Sequence, residues 1–339
     1  MKKLSAVLLS ILLLFGFNSC VKDNSTQSKK YGLVIHAGAG SIVPGRYSPE
    51  QEEEFRLKLN EALEAGYKIL EEDGSSLDAV EAAINILEDS PFFNAGKGAV
   101  FTADGKNELD ASIMNGENLE AGAVARLRHI KNPISLARAV MEKSKHVMMA
   151  GDGAEKFAIL NGFELVDTSY FFTEDRWNSL QNSMQKEKKE TQASLEKDDF
   201  KFGTVGAAAL DKNGNLAAGT STGGMTNKKY GRIGDSPIIG AGTYADNKTC
   251  AVSATGHGEY FIRLGIARDV ASMMEYQFKS LHEAADEVIH EKLEDLGGTG
   301  GIIAIDKDGN VAMPFNTSGM FRGYKLEGED PVVLFFQDN

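Results

Sequence analysis

The sequence predicts an α+β protein of four layers, helix on sheet on sheet on helix, and three observations carry that prediction. Two segments echo each other, GAAALDKNGNLAA at 206–218 and GIIAIDKDGNVAM at 301–313, each an apolar run, an Asn-Gly or Asp-Gly turn and a second apolar run, the signature of a β-hairpin. The apolar residues of both are near-continuous, which predicts strands covered on both faces. Segments 50–72 and 75–87 show helical apolar spacing and read as packing elements, and helices at 258–276 and 281–296 can supply one cover. Hairpins argue against a parallel doubly wound sheet, so αββα is the simplest arrangement of this inventory.

In chain order, residues 31–36 form a short apolar strand that runs into the glycine-rich turn Ala37-Gly38-Ala39-Gly40. A helix over 50–72 carries Phe55, Leu59, Leu63, Ile69 and Leu70 and ends at Asp73-Gly74. Ser75 or Ser76 caps a second helix whose stripe is Leu77, Val80, Ala83, Ile84 and Leu87. Strands are expected between 98 and 114 around the turn Ala103-Asp104-Gly105-Lys106, then helices at 133–146 and 153–160. Residues 174–200 are dense in Lys, Glu, Gln and Asp, which reads as a solvated helix or connector. Composition changes abruptly at Phe202-Gly203-Thr204-Val205-Gly206, where an apolar strand of small residues begins.

The N-terminus does not belong to this core. Lys2 and Lys3 precede an apolar run over 4–17, followed by Asn18, Ser19 and Cys20, the pattern of a bacterial export signal over 1–20. That run, roughly 14 residues, falls short of the ~20 a membrane-spanning helix needs. Phe17-Asn18-Ser19-Cys20 is similar to a lipoprotein box, which implies a lipid anchor at Cys20, a tether over 21–30 and a periplasmic or cell-envelope location. Cys250 is then the one remaining thiol, so neither an intramolecular disulfide nor a cysteine metal cluster is available. Removing the leader, whose charged residues are Lys2 and Lys3, takes the net charge from −13 to −15, which excludes nucleic acid as an expected partner.

Gly and Thr concentrate in Gly203-Thr204-Val205-Gly206, Gly219-Thr220-Ser221-Thr222-Gly223-Gly224 and Ala254-Thr255-Gly256-His257-Gly258, joined by Gly231-Arg232-Ile233-Gly234-Asp235-Ser236-Pro237. Singly these read as ordinary turns. Together with His36-Ala37-Gly38-Ala39-Gly40, Phe93-Asn94-Ala95-Gly96, Glu108-Leu109-Asp110-Ala111 and Pro314-Phe315-Asn316-Thr317 they resemble, in order, the plant-type asparaginase and isoaspartyl-peptidase family of N-terminal-nucleophile hydrolases, from about residue 31 to the C-terminus.

The resemblance implies a precursor that cuts itself between Gly203 and Thr204, leaving an α chain over 31–203 and a β chain over 204–339. A threonine hydroxyl is a weak nucleophile without an adjacent base, and in this family the base is its own amine. A free α-amino group has a pKa of about 7.7–8.0, close to working pH, and exists only after cleavage. The family match further implies that Thr222 orients Thr204 and that Thr255 with the Gly256 amide stabilises the oxyanion. It implies that Arg232 clamps a substrate α-carboxylate with its two-pronged guanidinium, that Asp235 and the Gly258 carbonyl accept the substrate ammonium, and that Asn94 supports the nucleophile. Loop 37–40 would assist maturation, loop 87–93 would hold a sodium ion through backbone carbonyls, and the assembly would be a dimer of αβ units. No catalytic metal is implied, and no nucleotide site, since the spacing at 37–40 is not GxGxxG. An Arg and an Asp three residues apart also fit a surface ion pair, and His257 fits either pocket or solvated loop.

The expected activity is hydrolysis of β-aspartyl dipeptides and L-asparagine through an acyl-enzyme. Glycosylasparagine cleavage is the alternative within the family, whose members of that kind show Asp before the nucleophile where this chain has Gly203. Two rivals stand outside it. Gly219-Thr220-Ser221-Thr222-Gly223 fits the GxSxG of serine hydrolases but is not followed by the helix a nucleophile elbow requires. A non-catalytic exported binding lipoprotein would keep the Arg232 and Asp235 pocket and remain a single uncut chain.

Overall fold

The structure, a computed structural model, describes residues 30–190 and 203–337. The leader, nearly all of the tether and the second part of the 173–202 connector lie outside the described residues.

The chain begins with β1 (Gly32–Gly40), followed by α1 (Pro49–Glu71) and α2 (Ser76–Glu88). Ser48 opens α1 with a capping box to Gln51, and Ser75 caps α2 by accepting from the Asp78 amide. Then come β2 (Leu109–Asn115), β3 (Ala121–Leu127), α3 (Pro133–Lys143), β4 (Met148–Ala150), α4 (Gly151–Leu160) and α5 (Glu174–Glu190). The second half contributes β5 (Val205–Leu210), β6 (Leu216–Thr222), β7 (Thr243–Ala245), β8 (Cys250–Gly256), α6 (Gly258–Leu264), α7 (Ile266–Gln277) and α8 (Leu281–Asp286). It closes with β9 (Gly300–Asp306), β10 (Val311–Ala312), β11 (Gly319–Leu326) and β12 (Val332–Phe336).

Eight strands form one sheet in the order β12-β11-β1-β5-β6-β2-β3-β4, and four form a second in the order β10-β9-β8-β7. Side chains alternate across each strand. On β5, Val205, Ala207 and Ala209 join the core under α1 to α3, while Ala208 and Leu210 join the layer between the sheets. That layer continues through the small sheet to Phe261, Val270, Leu281 and Ile289 of the far helices. The four layers are therefore helix, large sheet, small sheet, helix. The unbroken apolar runs of both hairpins follow from this double cover.

Four local expectations change. Residues 37–40 are not a turn but the end of β1, which bulges between His36 and Ala39 in its pairing with β11. Gly38 sits at φ 115°, a left-handed backbone that a side chain would strain. Around 103–106 a single bridge, Phe101 to Asn107, replaces a hairpin. The helix expected at 258–276 breaks at Gly265, φ 62°, into α6 and α7. The one at 281–296 passes from α8 into a π-helix over Glu287–Leu293. The charged connector is docked through its first half: the Arg176 guanidinium donates to the carbonyls of Gly98 and Phe92 at 2.9 and 3.0 Å, and Trp177 packs edge-on against Phe101.

Candidate active site

Strand parity assembles the site. On the large sheet, Val34, Met114, Ala208 and Ala218 face the small sheet, so His36 on β1, Asp110 and Ser112 on β2, and Thr220 and Thr222 on β6 face it too. Thr204 stands one residue before β5 on the same side as Gly206. The Thr204 and Thr222 hydroxyls lie 3.1 Å apart, and Thr204 is 7% exposed.

Two donors converge on the Gly203 carbonyl. The Asn94 amide donates to it at 2.6 Å and the Thr222 hydroxyl at 3.3 Å. Asn94 is itself held on every side, donating to the Gly224 carbonyl at 2.7 Å and accepting from the Val100 amide at 2.9 Å. Thr222 accepts from the Gly224 amide at 3.0 Å. A Cβ at position 203 would stand 2.9 Å from the Asn94 Cβ, so this approach requires glycine before Thr204. The bond between Gly203 and Thr204 thus has a hydroxyl beside it and a polarised carbonyl, the arrangement an acyl shift needs.

Thr255 on β8 is fully buried, and its hydroxyl has no hydrogen-bond partner among the described residues. The same holds for Oδ2 of Asp235, whose carboxyl burial pushes up to about 7 against the opposing pull of Arg232. A Cβ on Gly258 would lie 2.8 Å from both the Arg232 guanidinium and Asp235 Oδ1, so Arg232, Asp235 and Gly258 do converge. Unpartnered buried polar groups are rare in folded proteins, and these two lie in and beside the Thr255-Gly256-His257-Gly258 motif.

The Arg232 partner is neither solvent nor Asp235. Its Nε and one terminal nitrogen donate to the two Glu259 oxygens, both at 2.9 Å, in a two-pronged pairing. Glu259 is exposed at the start of α6, and the pairing with Arg232 holds its carboxyl below the usual range. His257 Nε2 lies 3.3 Å from the same carboxylate, and burial lowers the His257 pKa. Glu259 directly follows the Thr255 to Gly258 motif, but its pairing with Arg232, 27 residues away, is set by the fold and has no signal in the sequence.

Other motif residues are scaffolding. Lys228 is buried, donates to the Glu108 carbonyl at 2.9 Å and faces the fully buried Asp110 at 3.9 Å. Asn316 holds the start of β9 by accepting from Gly300 at 2.8 Å and donating to the Gly298 carbonyl at 3.1 Å. Ser221, the candidate elbow serine, points to the opposite face from Thr222, is fully buried and donates to Glu88 at 2.6 Å. The Glu88 carboxyl, buried under the large sheet and also accepting from the Ile134 amide at 3.0 Å, is pushed by burial up to about 8.

Comparison with known proteins agrees with this geometry. The asparaginase family model matches residues 29–334. The chain is 50% identical over 312 residues to the isoaspartyl peptidase of Escherichia coli strain K12, covering 90% of this chain and 96% of that protein. It is 48% identical over 309 residues to the isoaspartyl peptidase of Salmonella typhimurium strain LT2, covering 90% and 98%. Against the isoaspartyl peptidase/L-asparaginase of Bos taurus it is 43% identical over 288 residues, covering 85% and 91%. With a polarised Gly203 carbonyl beside Thr204, and with matches that span nearly the whole described chain, the protein belongs to the asparaginase family.

Proposed function

We propose that the chain is a self-cleaving amidohydrolase that releases aspartate from β-aspartyl dipeptides and L-asparagine, with Thr204 as nucleophile. The convergence of Asn94 and Thr222 on the Gly203 carbonyl, with the Thr204 hydroxyl 3.1 Å from Thr222, carries this reading. In maturation, Thr204 Oγ attacks the Gly203 carbonyl carbon, and its hydroxyl proton passes, relayed by the Thr222 hydroxyl, to the departing Thr204 nitrogen. Asn94 donates to the oxyanion. Breaking the Gly203–Thr204 C–N bond leaves an ester on Thr204 Oγ and a free Thr204 amine. Water then hydrolyses the ester, leaving a Gly203 carboxylate, an α chain over 31–203 and a β chain over 204–339.

The amine now accepts the hydroxyl proton as Thr204 Oγ attacks the substrate β-carbonyl. Thr255 and the Gly256 amide stabilise the oxyanion, Arg232 holds the α-carboxylate, and Asp235 with the Gly258 carbonyl receives the ammonium. Expelling ammonia or an amino acid leaves a β-aspartyl ester, which water resolves to aspartate. The names of the relatives support this substrate class. Assaying aspartate release from a β-aspartyl dipeptide, asparagine and glycosylasparagine with cut protein tests the reading. No aspartate from the first two would refute it.

Loop 87–93 suits a sodium ion. The Glu88 carbonyl packs close to Gly96, and those of Pro91 and Phe93 pack close to Gly98, and backbone oxygens are the hard ligands such an ion takes. The ion would brace the loop that leads into Asn94, and replacing sodium with choline would then lower the melting temperature. Export as a protein lipidated at Cys20 in the periplasm or cell envelope, and assembly as a dimer of αβ units, complete the proposal. Mass spectrometry of the membrane fraction and light scattering test them.

A further inference from the structure

We propose that His36 is a positioning residue for Thr204, fixing the nucleophile's own carbonyl from the end of a buried run of hydroxyls between the two sheets. His36 Nδ1 lies 3.0 Å from the Thr204 carbonyl oxygen and Nε2 lies 2.9 Å from Ser253 Oγ on the facing sheet. A carbonyl oxygen can only accept, so Nδ1 carries the proton. Burial pushes the ring's pKa down to about 3, so it is neutral and Nε2 is an acceptor. The Ser253 hydroxyl must then donate to His36.

That choice propagates. Ser253 Oγ lies 2.6 Å from Thr220 Oγ1, which receives the Thr243 hydroxyl at 2.6 Å, and Ser112 Oγ lies 2.8 Å from Thr243. Each hydroxyl has one proton, so with the run donating toward His36 the Ser236 carbonyl, 2.6 Å from Ser112 Oγ, and the Gly242 carbonyl, 2.9 Å from Thr220 Oγ1, lie beside the run without receiving its protons. His36, Ser112, Thr220, Thr243 and Ser253 are all fully buried. The run therefore spans from the Thr204 carbonyl to the residue beside Asp235. A Cβ on Gly206 would fall 2.0 Å from Ser253 Oγ and 2.4 Å from His36 Nε2, so glycine there is a condition of the network.

Once Gly203 is cut away, Thr204 is a chain end held by its hydroxyl and its carbonyl. With the carbonyl pinned by His36 and the hydroxyl facing Thr222, the orientation of the amine follows. The inference rests on Thr204 being the nucleophile.

Asn and Gln separate the two contacts of the ring, since an Asn amide reaches where Nδ1 donates and a Gln amide where Nε2 accepts. His36→Asn, which keeps the Thr204 contact, is expected to retain kcat within about fivefold. His36→Gln, which keeps only the Ser253 side, is expected to lose about 100-fold in kcat with KM near the parent's, and to self-cleave correspondingly slowly, the penalty of a small misplacement. Ser253→Ala, which frees the ring, is expected to lose about tenfold in kcat on the same ground. Equal loss in both His36 variants, or loss confined to KM, overturns the proposal. If neither His36 variant folds, Ser253→Ala decides, and parental turnover in it sinks the idea. Parent protein that releases no aspartate refutes the assigned activity instead.

Discussion

The two faces of the large sheet are built from the same strands and differ in kind. Toward α1, α2 and α3 its side chains are Leu33, Ile35, Leu109, Ile113, Val205 and Ala207, a dry aliphatic core broken by the Ser221–Glu88 contact. Toward the small sheet, alternate residues of the same strands are His36, Asp110, Ser112, Thr220 and Thr222 at the end that meets Thr204, and apolar residues such as Val34 and Ala208 elsewhere. Burial of apolar area stabilises the first face at about 25 cal/mol per Å². The second gives up part of that gain for hydroxyls and a carboxylate that must each find a partner, and Asp110 Oδ2 finds no hydrogen-bond partner among the described residues. Stability and chemistry are thus separated by one residue along each strand.

Substitutions on the two faces should therefore separate in the same way. The largest effect is expected on the inner face: Thr204→Ala should remain one uncut chain on a denaturing gel, with activity lower by about 10⁴-fold or more, as for loss of a nucleophile elsewhere. Two bands and retained turnover would break the comparison at its strongest point. On the outer face, Leu33→Ala empties a fully buried site packed beside Gly66 of α1. It should lose about 3 kcal/mol in denaturant unfolding while turnover per matured site stays parental.

Arg232→Lys should raise KM by about tenfold, because a point charge cannot hold Glu259 and a substrate carboxylate in two-pronged geometry. Unchanged KM on a β-aspartyl dipeptide would remove Arg232 from the clamp. Asp235, pushed by burial up to about 7, must ionise to receive an ammonium. Lowering pH through 7 protonates it, so kcat/KM should fall more steeply on the acid side than kcat does, and Asp235→Asn should abolish the difference. Parallel acid limbs in the parent would show that Asp235 is not titrating there. The smallest effect is expected for Ser221→Ala, at the inner site's sequence neighbour but on the outer face, with kcat within about twofold, in the range of a neutral substitution away from the chemistry.

Much of this is legible in the amino-acid sequence. Phe55, Leu59 and Leu63 mark the buried stripe of α1, Ser75 marks its neighbour's start, and both hairpins lie at their Asn-Gly and Asp-Gly turns. The break at Gly265 was not legible, since a lone glycine is tolerated in helices and its left-handed backbone is set by the contacts around it. The glycines after His36 support a turn or a bulge equally in sequence, and the pairing with β11 makes it a bulge.

Which residues share a face and where the chain changes character follow from amino-acid order alone, through the fixed periods of helix and strand and through local composition. The abrupt change at Gly203-Thr204 is of that kind. Partners come from the packing of the whole fold: His36 meets Thr204 across 168 residues, Ser253 meets His36 across 217, and Glu259, not Asp235, takes the Arg232 fork. Periodicity says that a side chain faces the space between two sheets. Which atom waits on the other side depends on how closely and in what register the sheets pack, and that is a property of the whole fold.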